Sequence, residues 1–260
     1  MDLGLRDRVA VVTGASQGIG LATSRRLAAE GARVLMVART EGPLRAAAEE
    51  LNAEWLAADV TDPEADERIV ATCAEQMGGI DILVNNAGTS AHIPLDALTD
   101  EDFRAQFELN VMASMRLMRA AARRMATRGW GRIVNVSSSS GKRPSQSNVA
   151  YSVAKAAQLS LSRAFADAYA AQGVLVNAVT PGPVATSLWT GEGGLADQAA
   201  RAAGTSRDEA LAATAARVPL GRLGEAEEIA DVVVFLCSDR VGNVTGAAWS
   251  ADGGTVNIII

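Results

Sequence analysis

Short apolar runs of β-type residues alternate along this chain with helix-length, Ala-rich amphipathic segments. The runs are Arg8–Val12, Arg33–Val37, Trp55–Ala58, Ile80–Val84, Arg132–Val136, Val174–Val179 and Ala247–Ala251. They are too apolar for strands with one face in water, so each is expected to be covered on both faces. The pattern predicts an α/β fold, a doubly wound parallel sheet with helices on both faces.

Composition narrows the class of protein further. A length of 260 residues without a break in composition predicts one domain, residues 1–260, and only 4% aromatic residues predict an aliphatic core. The net charge of −6 argues against binding to nucleic acid or acidic membranes. The sequence shows no signal peptide or membrane-length apolar run, so we expect a cytoplasmic protein. Cys73, Cys237 and His92 are too few for a disulfide framework or a metal site, and both thiols are expected to be buried.

Polar and glycine residues gather where the predicted strands end. Because the carboxyl ends of parallel strands meet at one edge of a sheet, ligands bind there. The glycine-rich segment Thr13–Gly20 follows the first strand and opens a helix. Its glycines allow a tight turn and close approach of a phosphate to free N–H groups at the helix N-terminus. The spacing is Gly-x-x-x-Gly-x-Gly, and such a turn can also be purely structural.

Tyr151 and Lys155 lie one helical turn apart in a segment, Ala150–Ala171, that is predicted to be helical. An ammonium beside a phenol favours phenolate and lowers the pKa of the tyrosine, which suits acid–base chemistry at neutral pH. A Tyr-x-x-x-Lys pair alone is more often an ordinary surface pair. Here the hydroxyl cluster Ser137–Ser140 follows a strand and reaches the same expected edge.

Together these segments resemble the short-chain dehydrogenase/reductase family over practically the whole chain. The residues that carry the resemblance are Thr13–Gly20, Asp59, Asn85–Gly88, Asn110, Ser138, Tyr151, Lys155, Pro181, Gly182 and Asp252–Gly254. The sequence is similar to 3-oxoacyl-carrier-protein reductases and secondary-alcohol dehydrogenases of that family. The resemblance implies a Rossmann-type domain with a seven-stranded parallel sheet, a small carbonyl or alcohol substrate, and a homotetramer.

The resemblance also assigns roles to catalytic residues. Tyr151 exchanges a proton with the substrate oxygen, and Lys155 lowers the pKa of that tyrosine and holds the nicotinamide ribose. Ser138 precedes Tyr151 by thirteen positions and hydrogen-bonds the reacting oxygen. Asn110 holds a water that connects Lys155 to solvent, a role that is compatible with a structural Asn that kinks a long helix. Substrate contacts fall to Ser138, Tyr151 and Trp189.

The cofactor site is implied in the same way. Its residues are Gly14, Ser16, Gln17, Gly18, Ile19, Gly20, Arg39, Thr40, Asp59, Val60, Asn86, Ala87, Gly88, Tyr151, Lys155, Pro181, Gly182, Val184 and Thr186. Ala38 stands where NAD-preferring relatives carry a carboxylate, and Arg39 suits a 2′-phosphate. Gln17 replaces a second basic residue, and Glu41 lies close by in the sequence. NADP(H) is therefore expected rather than NAD(H), and Asn85 and Asp252–Gly254 are expected to be structural.

The segment of about 187–217 interrupts the regular alternation of predicted strands and helices. It contains a glycine cluster at Gly191, Gly193 and Gly194 and an Ala-rich stretch, at the ligand end of the scaffold. Long insertions there are often lids, so we expect a substrate lid; a packed helical excursion is the alternative. Leu188, Trp189 and Leu195 indicate an apolar lid surface, although they can equally pack on the core. His92 is expected near the mouth of the site or in solvent.

Two other protein classes are alternatives to this reading of the sequence. A nucleotide-binding regulator on the same fold needs no complete acid–base set, whereas this sequence has Asn110, Ser138, Tyr151 and Lys155. An isomerase or dehydratase of the extended branch would have a differently spaced glycine motif and a larger C-terminal substrate domain. We therefore predict an NADP(H)-dependent oxidoreductase that acts on a ketone or secondary alcohol, with the catalytically idle regulator as the alternative.

Overall fold

The computed structural model describes residues 1–258, and its centre is one seven-stranded parallel sheet. The strands are β1 (Val9–Thr13), β2 (Arg33–Ala38), β3 (Glu54–Ala57), β4 (Ile82–Asn85), β5 (Gly131–Val136), β6 (Val174–Pro181) and β7 (Ala248–Ala251). Their order is β3-β2-β1-β4-β5-β6-β7. The predicted runs agree with the strands to within two residues, which confirms the fold class.

Helices surround the sheet on both faces. They are α1 (Gly18–Ala29), α2 (Glu41–Leu51), α3 (Ala65–Met77), α4 (Asp100–Phe107), α5 (Ala113–Arg128), α6 (Ser139–Lys142), α7 (Val149–Tyr169), α8 (Ser187–Thr190), α9 (Leu195–Ala203), α10 (Arg207–Ala216) and α11 (Ala226–Cys237). Helices α1, α2 and α11 cover one face, and α3, α5 and α7 cover the other. The predicted helix at Ala150–Ala171 thus corresponds to α7.

The central strands are mostly apolar because they divide their side chains between two hydrophobic cores, whereas the edge strands β3 and β7 are partly exposed. In β1, Val9 and Val11 pack on the core with α3, α5 and α7, whereas Ala10 and Val12 pack on the opposite core. Burying one such valine contributes about 1.5–3 kcal/mol relative to leaving it exposed. The sheet is consequently a rigid support whose carboxyl edge holds the loops in fixed positions.

The chain leaves the regular pattern between β6 and α11. The predicted insertion at 187–217 contains α8, α9 and α10. The glycine cluster joins α8 to α9, with Gly193 at a φ of +68° and Gly194 as the N-cap of α9. Helix α10 begins with a capping box in which Ser206 and Glu209 exchange hydrogen bonds. Regular helices therefore occupy most of the segment, for which the sequence left a lid and a packed helical excursion open.

Three smaller features concern the thiols, possible metal ligands and the lengths of the helices. Cys73 and Cys237 are buried, as predicted, and burial raises the pKa of each thiol to about 12. Within residues 1–258, no group of His, Cys, Asp or Glu is arranged to hold a metal ion. None of the helices formed by these residues combines the length and the apolar character that crossing a membrane requires.

Candidate active site

A large cleft opens at the carboxyl edge of the sheet, where the chain reverses its direction of winding between β1 and β4. Its volume is about 1370 Å³. Such a reversal leaves a crevice between neighbouring loops, and ligands of open α/β sheets bind there. Apart from Gly20 and Asn110, every predicted site residue lines this cleft. Those two lie directly behind its wall.

The turn from β1 to α1 requires glycine for two different reasons. Gly14 has a φ of +63°, which L side chains rarely adopt. A Cβ added to Gly20 would lie only 2.3 Å from the carbonyl oxygen of Gly14, so the helix packs on the turn without space for a side chain. The first turn of α1 has no acidic residue, and its N-cap, Gln17, makes no side-chain cap. The N–H groups at this helix end can therefore serve an anionic ligand.

Residues of β4 and β5 brace the floor of the cleft. The Thr13 hydroxyl accepts hydrogen bonds of 3.0 Å from the backbone N–H groups of Asn86 and Ala87. The Asn86 side chain donates to the carbonyl oxygens of Thr13 and Gly14, so its amide nitrogen supports the turn although the residue was predicted as a ligand contact. Asn85 donates to Asn135 at 2.8 Å inside the sheet, which agrees with its expected structural role.

At the ends of β2 and β3, Arg39 and Asp59 face one another across the cleft. Their side chains approach to 4.0 Å, and that of Arg39 is 74% exposed. Burial would raise the pKa of Asp59, but hydrogen bonds from Thr61 and the charge of Arg39 outweigh it, so the pKa is lowered. Glu41, which the sequence places near this arginine, lies 3.9 Å from Arg45 instead. The Arg39 guanidinium is thus largely exposed, at the outer limit of an ion pair with Asp59.

The expected catalytic side chains meet at the ends of β5 and α7. Ser138 is the N-cap of α6 and accepts a hydrogen bond from the N–H of Ser140. The Ser138 hydroxyl lies near enough to Tyr151 to act on the pKa of its phenol, which it lowers. The Nζ atom of Lys155 lies 5.7 Å from the centre of the Tyr151 ring. The structure therefore brings together three residues that the sequence separates by up to seventeen positions.

Burial determines the protonation of this group. It raises the pKa of Tyr151, and the Ser138 hydroxyl offsets only part of that effect. It lowers the pKa of Lys155 to about 7, so the amine is only partly charged at neutral pH. The pKa of Tyr151 is therefore raised overall and not lowered, because loss of solvent is the largest effect on its phenol.

Asn110 lies in a π-helical turn, Glu108–Met112, between α4 and α5. Its side-chain nitrogen donates to the backbone and side-chain oxygens of Gln106, whereas its Oδ1 atom has no hydrogen-bond partner among residues 1–258. A Cβ added to Gly88 would lie 3.1 Å from that oxygen and 3.6 Å from the Lys155 Nζ. Gly88 therefore allows the backbone to pass close to both polar groups, and the predicted irregularity at Asn110 is present.

Beyond β6, the chain folds over the cleft. Pro181, Gly182, Val184 and Thr186 line it, and Thr186 reaches the glycine-rich turn, since a Cβ on Gly18 would lie 3.3 Å from its Cγ2. The lining continues with Leu188, Trp189 and Leu195 from the insertion. Helix α9 is tied to the opposite loop, because the N–H of His92 donates to Oε1 of Gln198 at 2.8 Å. His92 thus lies at the mouth of the cleft.

Sequence reasoning missed two residues of this site. Gln158 accepts a hydrogen bond from Lys155, and Gln198 links the insertion to the β4–α4 loop. Gln158 could have been found, since it follows Lys155 by three positions and so shares its helical face. Gln198 could not, because its partner is 106 positions away.

Comparison with known proteins agrees with this geometry. The family described as short chain dehydrogenase matches residues 8–193. Among curated proteins, 3-oxoacyl-[acyl-carrier-protein] reductase FabG of Vibrio cholerae is 35% identical over 254 residues, covering 97% of this chain and 98% of that protein. Cis-4-hydroxycyclohexanecarboxylate dehydrogenase of Sinomonas cyclohexanicum is 39% identical over 255 residues, covering 95% and 96%.

Comparison with solved structures also finds reductases of the same fold. L-sorbose reductase from Gluconobacter frateurii, complexed with NADPH and L-sorbose, superimposes with a TM-score of 0.93 at 35% identity, and each chain is covered completely. The match thus extends over the sheet, the cleft and the insertion alike. From its sequence, its fold and these relatives, the chain belongs to the short-chain dehydrogenase/reductase family.

Proposed function

We propose that this protein is an NADP(H)-dependent oxidoreductase that interconverts a ketone and a secondary alcohol. The observation that carries the proposal is that Ser138, Tyr151 and Lys155 lie together in the same cleft as the glycine-rich turn. A proton donor, a group that stabilises developing charge and a phosphate-binding turn are what this reaction requires.

The cleft fits a dinucleotide. The turn at Gly14 and Gly20 would receive a phosphate at the N-terminus of α1, and Asp59, which lines the same cleft, would contact the adenine. Lys155 would hold the nicotinamide ribose, and the segment from Pro181 to Thr186 would contact the carboxamide. Once bound, the nicotinamide supplies or accepts the hydride.

Arg39 supports NADP(H) as the preferred cofactor. Its exposed guanidinium faces the cleft at the end of β2, where Ala38 offers no carboxylate to a ribose diol. Asp59 is 4.0 Å away and the nearby acid Glu41 is engaged by Arg45, so neither blocks a 2′-phosphate. The structure of the related L-sorbose reductase contains NADPH, which supports the same choice here.

In the reducing direction, the protein's own residues supply the proton. The raised pKa of Tyr151 keeps its phenol protonated at neutral pH, so the proton is in place for transfer to the carbonyl oxygen. Ser138 donates a hydrogen bond to that oxygen as negative charge develops on it. The charged form of Lys155 stabilises the phenolate that remains, and Asn110 presents a free buried oxygen close to this lysine.

The substrate is a small molecule with a carbonyl or hydroxyl group. The relatives named above carry three different substrates in their names, so their shared feature is the type of reaction. Ser138, Tyr151 and Trp189 line the cleft, which supports the proposal that they contact the substrate. We further propose that residues 187–217 form a lid, since their α8 and α9 portion borders the cleft and Gln198 already reaches across to His92.

We also propose that the protein is a cytoplasmic homotetramer. Phe103 and Phe107 on α4 are 36% and 40% exposed, and Val153 on the adjacent α7 is 43% exposed. Exposed large apolar side chains on two neighbouring helices are of the kind that subunits bury against one another.

The decisive experiment replaces Tyr151 by Phe. The ring and its packing remain, while the only proposed proton donor is lost, so reduction of a ketone with NADPH should slow by about 10²-fold or more. Tyr169→Phe is the matched control, because Tyr169 is on the same helix, where it stacks on Phe165 and packs against the core. NADPH binding should survive in both variants.

Two results would contradict this function. If Tyr151→Phe reduced ketones at the wild-type rate, Tyr151 would not be the acid. If the wild-type protein bound NADPH tightly yet turned over no ketone or alcohol in a broad panel, the alternative of an idle nucleotide-binding regulator would replace the enzyme.

A further inference from the structure

Lys155 is held by neighbours that the sequence did not reveal. Its Nζ atom donates to the carbonyl oxygen of Val136 at 2.8 Å and to Oε1 of Gln158 at 3.2 Å. Gln158 is itself 1% exposed, although nothing in an Ala-rich helix requires a buried amide. Burying a polar side chain costs free energy unless its polar atoms are hydrogen-bonded. The hydrogen-bond partners of Gln158 therefore indicate its role.

The contacts of Gln158 continue away from the lysine as a directed chain. Nε2 of Gln158 donates to the Ser114 hydroxyl at 2.9 Å, and that hydroxyl donates to the carbonyl oxygen of Asn110 at 3.2 Å. Because the single hydroxyl proton of Ser114 is used on Asn110, the hydroxyl can only accept from Gln158. The amide is thereby oriented with its oxygen towards Lys155.

We propose that Gln158 is a positioning residue for Lys155, whose side-chain amide ties the lysine Nζ through Ser114 to the carbonyl of Asn110. All three hydrogen bonds point the same way, so each polarises the next. An amide neither gains nor loses a proton at neutral pH. This chain of bonds therefore fixes the ammonium relative to the π-helical turn and carries no proton itself.

The electrostatic effect of Gln158 has a definite sign. An oxygen that accepts from the ammonium stabilises the charged form and so raises the pKa of Lys155 against the effect of burial, which holds it at about 7. Tyr151 is the titratable group beside the lysine. Charged groups on the neighbouring elements have other partners. Arg116 of α5 pairs with Glu108 of the π-helical turn, and Lys142 of α6 donates to the carbonyl oxygen of Ala248.

The composition of the chain makes a direct test possible. It contains two lysines, Lys142 and Lys155, so labelling with ¹³C-lysine gives two side-chain signals, which Lys142→Arg assigns. Gln158→Met keeps the approximate size of the side chain and deletes the acceptor. The pKa of Lys155 should fall by about one unit, and the alkaline limb of the pH profile for ketone reduction should move to lower pH by the same amount.

Two further variants complete the design. Gln158→Glu retains an acceptor and adds negative charge, so it should raise the pKa of Lys155 and move the limb to higher pH. Ser162→Ala is the matched control: Ser162 is buried on the same helix and hydrogen-bonds Asn135, without contact to the lysine. It should leave the pKa of Lys155 unchanged.

The role of Gln158 rests on the function proposed for Lys155. The experiments must therefore distinguish failure of the one proposal from failure of the other. Full activity of Lys155→Met would overturn the proposed function, whatever the titration gives. An inactive Lys155→Met together with an unmoved Lys155 pKa in folded Gln158→Met would overturn the role of Gln158 alone. If Gln158→Met does not fold, an unmoved pKa in Gln158→Glu decides against it equally.

Discussion

A buried lysine should make the stability of this protein depend on pH in a way that Lys155→Met abolishes. The pKa of Lys155 is lowered from its ordinary value of 10.5 to about 7 by burial. Between these values, the unfolded chain keeps a proton that the folded protein has lost. The free energy of unfolding therefore rises with pH over this range. The destabilisation caused by the buried, charged lysine is fully present below about pH 7.

The size of the effect follows from the shift. Each pH unit in which the unfolded chain holds one extra proton adds about 1.4 kcal/mol to the free energy of unfolding. From about pH 7 to about pH 9, wild type should gain about 2 kcal/mol that the variant does not gain. In a protein of this size, that difference corresponds to about 4–8 °C in Tm.

The comparison between the two proteins removes the other contributions. Lys155→Met leaves Val136 and Gln158 without a donor, a cost that lowers stability equally at both pH values. The raised pKa values of Tyr151 and the two cysteines affect both proteins alike.

The assay is chemical denaturation of cofactor-stripped wild type and Lys155→Met at both pH values. A stability difference between them that does not change with pH would refute the lowered lysine pKa, and with it the account of how burial controls this site.

Three further predictions concern the ligand sites and the assembly. Arg39→Asp should reduce the ratio of kcat/KM for NADPH to that for NADH by about 10- to 100-fold, because it removes the partner of the 2′-phosphate; an unchanged ratio would exclude Arg39 from that role. Amide exchange in residues 187–217 should slow when NADP(H) binds, whereas equal protection in both states would argue against a lid. Phe107→Glu should convert the expected tetramer to smaller species in light scattering, and a monomeric wild type would contradict the assembly itself.

Much of the fold and of the candidate site was predictable because the relevant signals are local. A strand buried on both faces must be apolar along its length, so the runs that became β1, β4 and β6 could be recognised without knowledge of their neighbours. Parallel strands deliver their carboxyl ends to one edge, which placed Ser138 in the same cleft as the glycine-rich turn. The spacing of Tyr151 and Lys155 placed them on one helical face.

The tertiary structure decided what depends on distant neighbours. The pKa of Tyr151 is raised, contrary to the sequence-based expectation. The packing of several elements around Tyr151 removes solvent from its phenol, and the spacing of Tyr151 and Lys155 in the sequence does not reveal this burial. The partners of Asn86 and Gln158 come from β1 and α5, which lie far from them in the sequence. Sequence alone therefore determined which chemical groups reach the cleft, whereas packing determined their charge and their hydrogen bonds, since both depend on atoms that only the folded chain brings near.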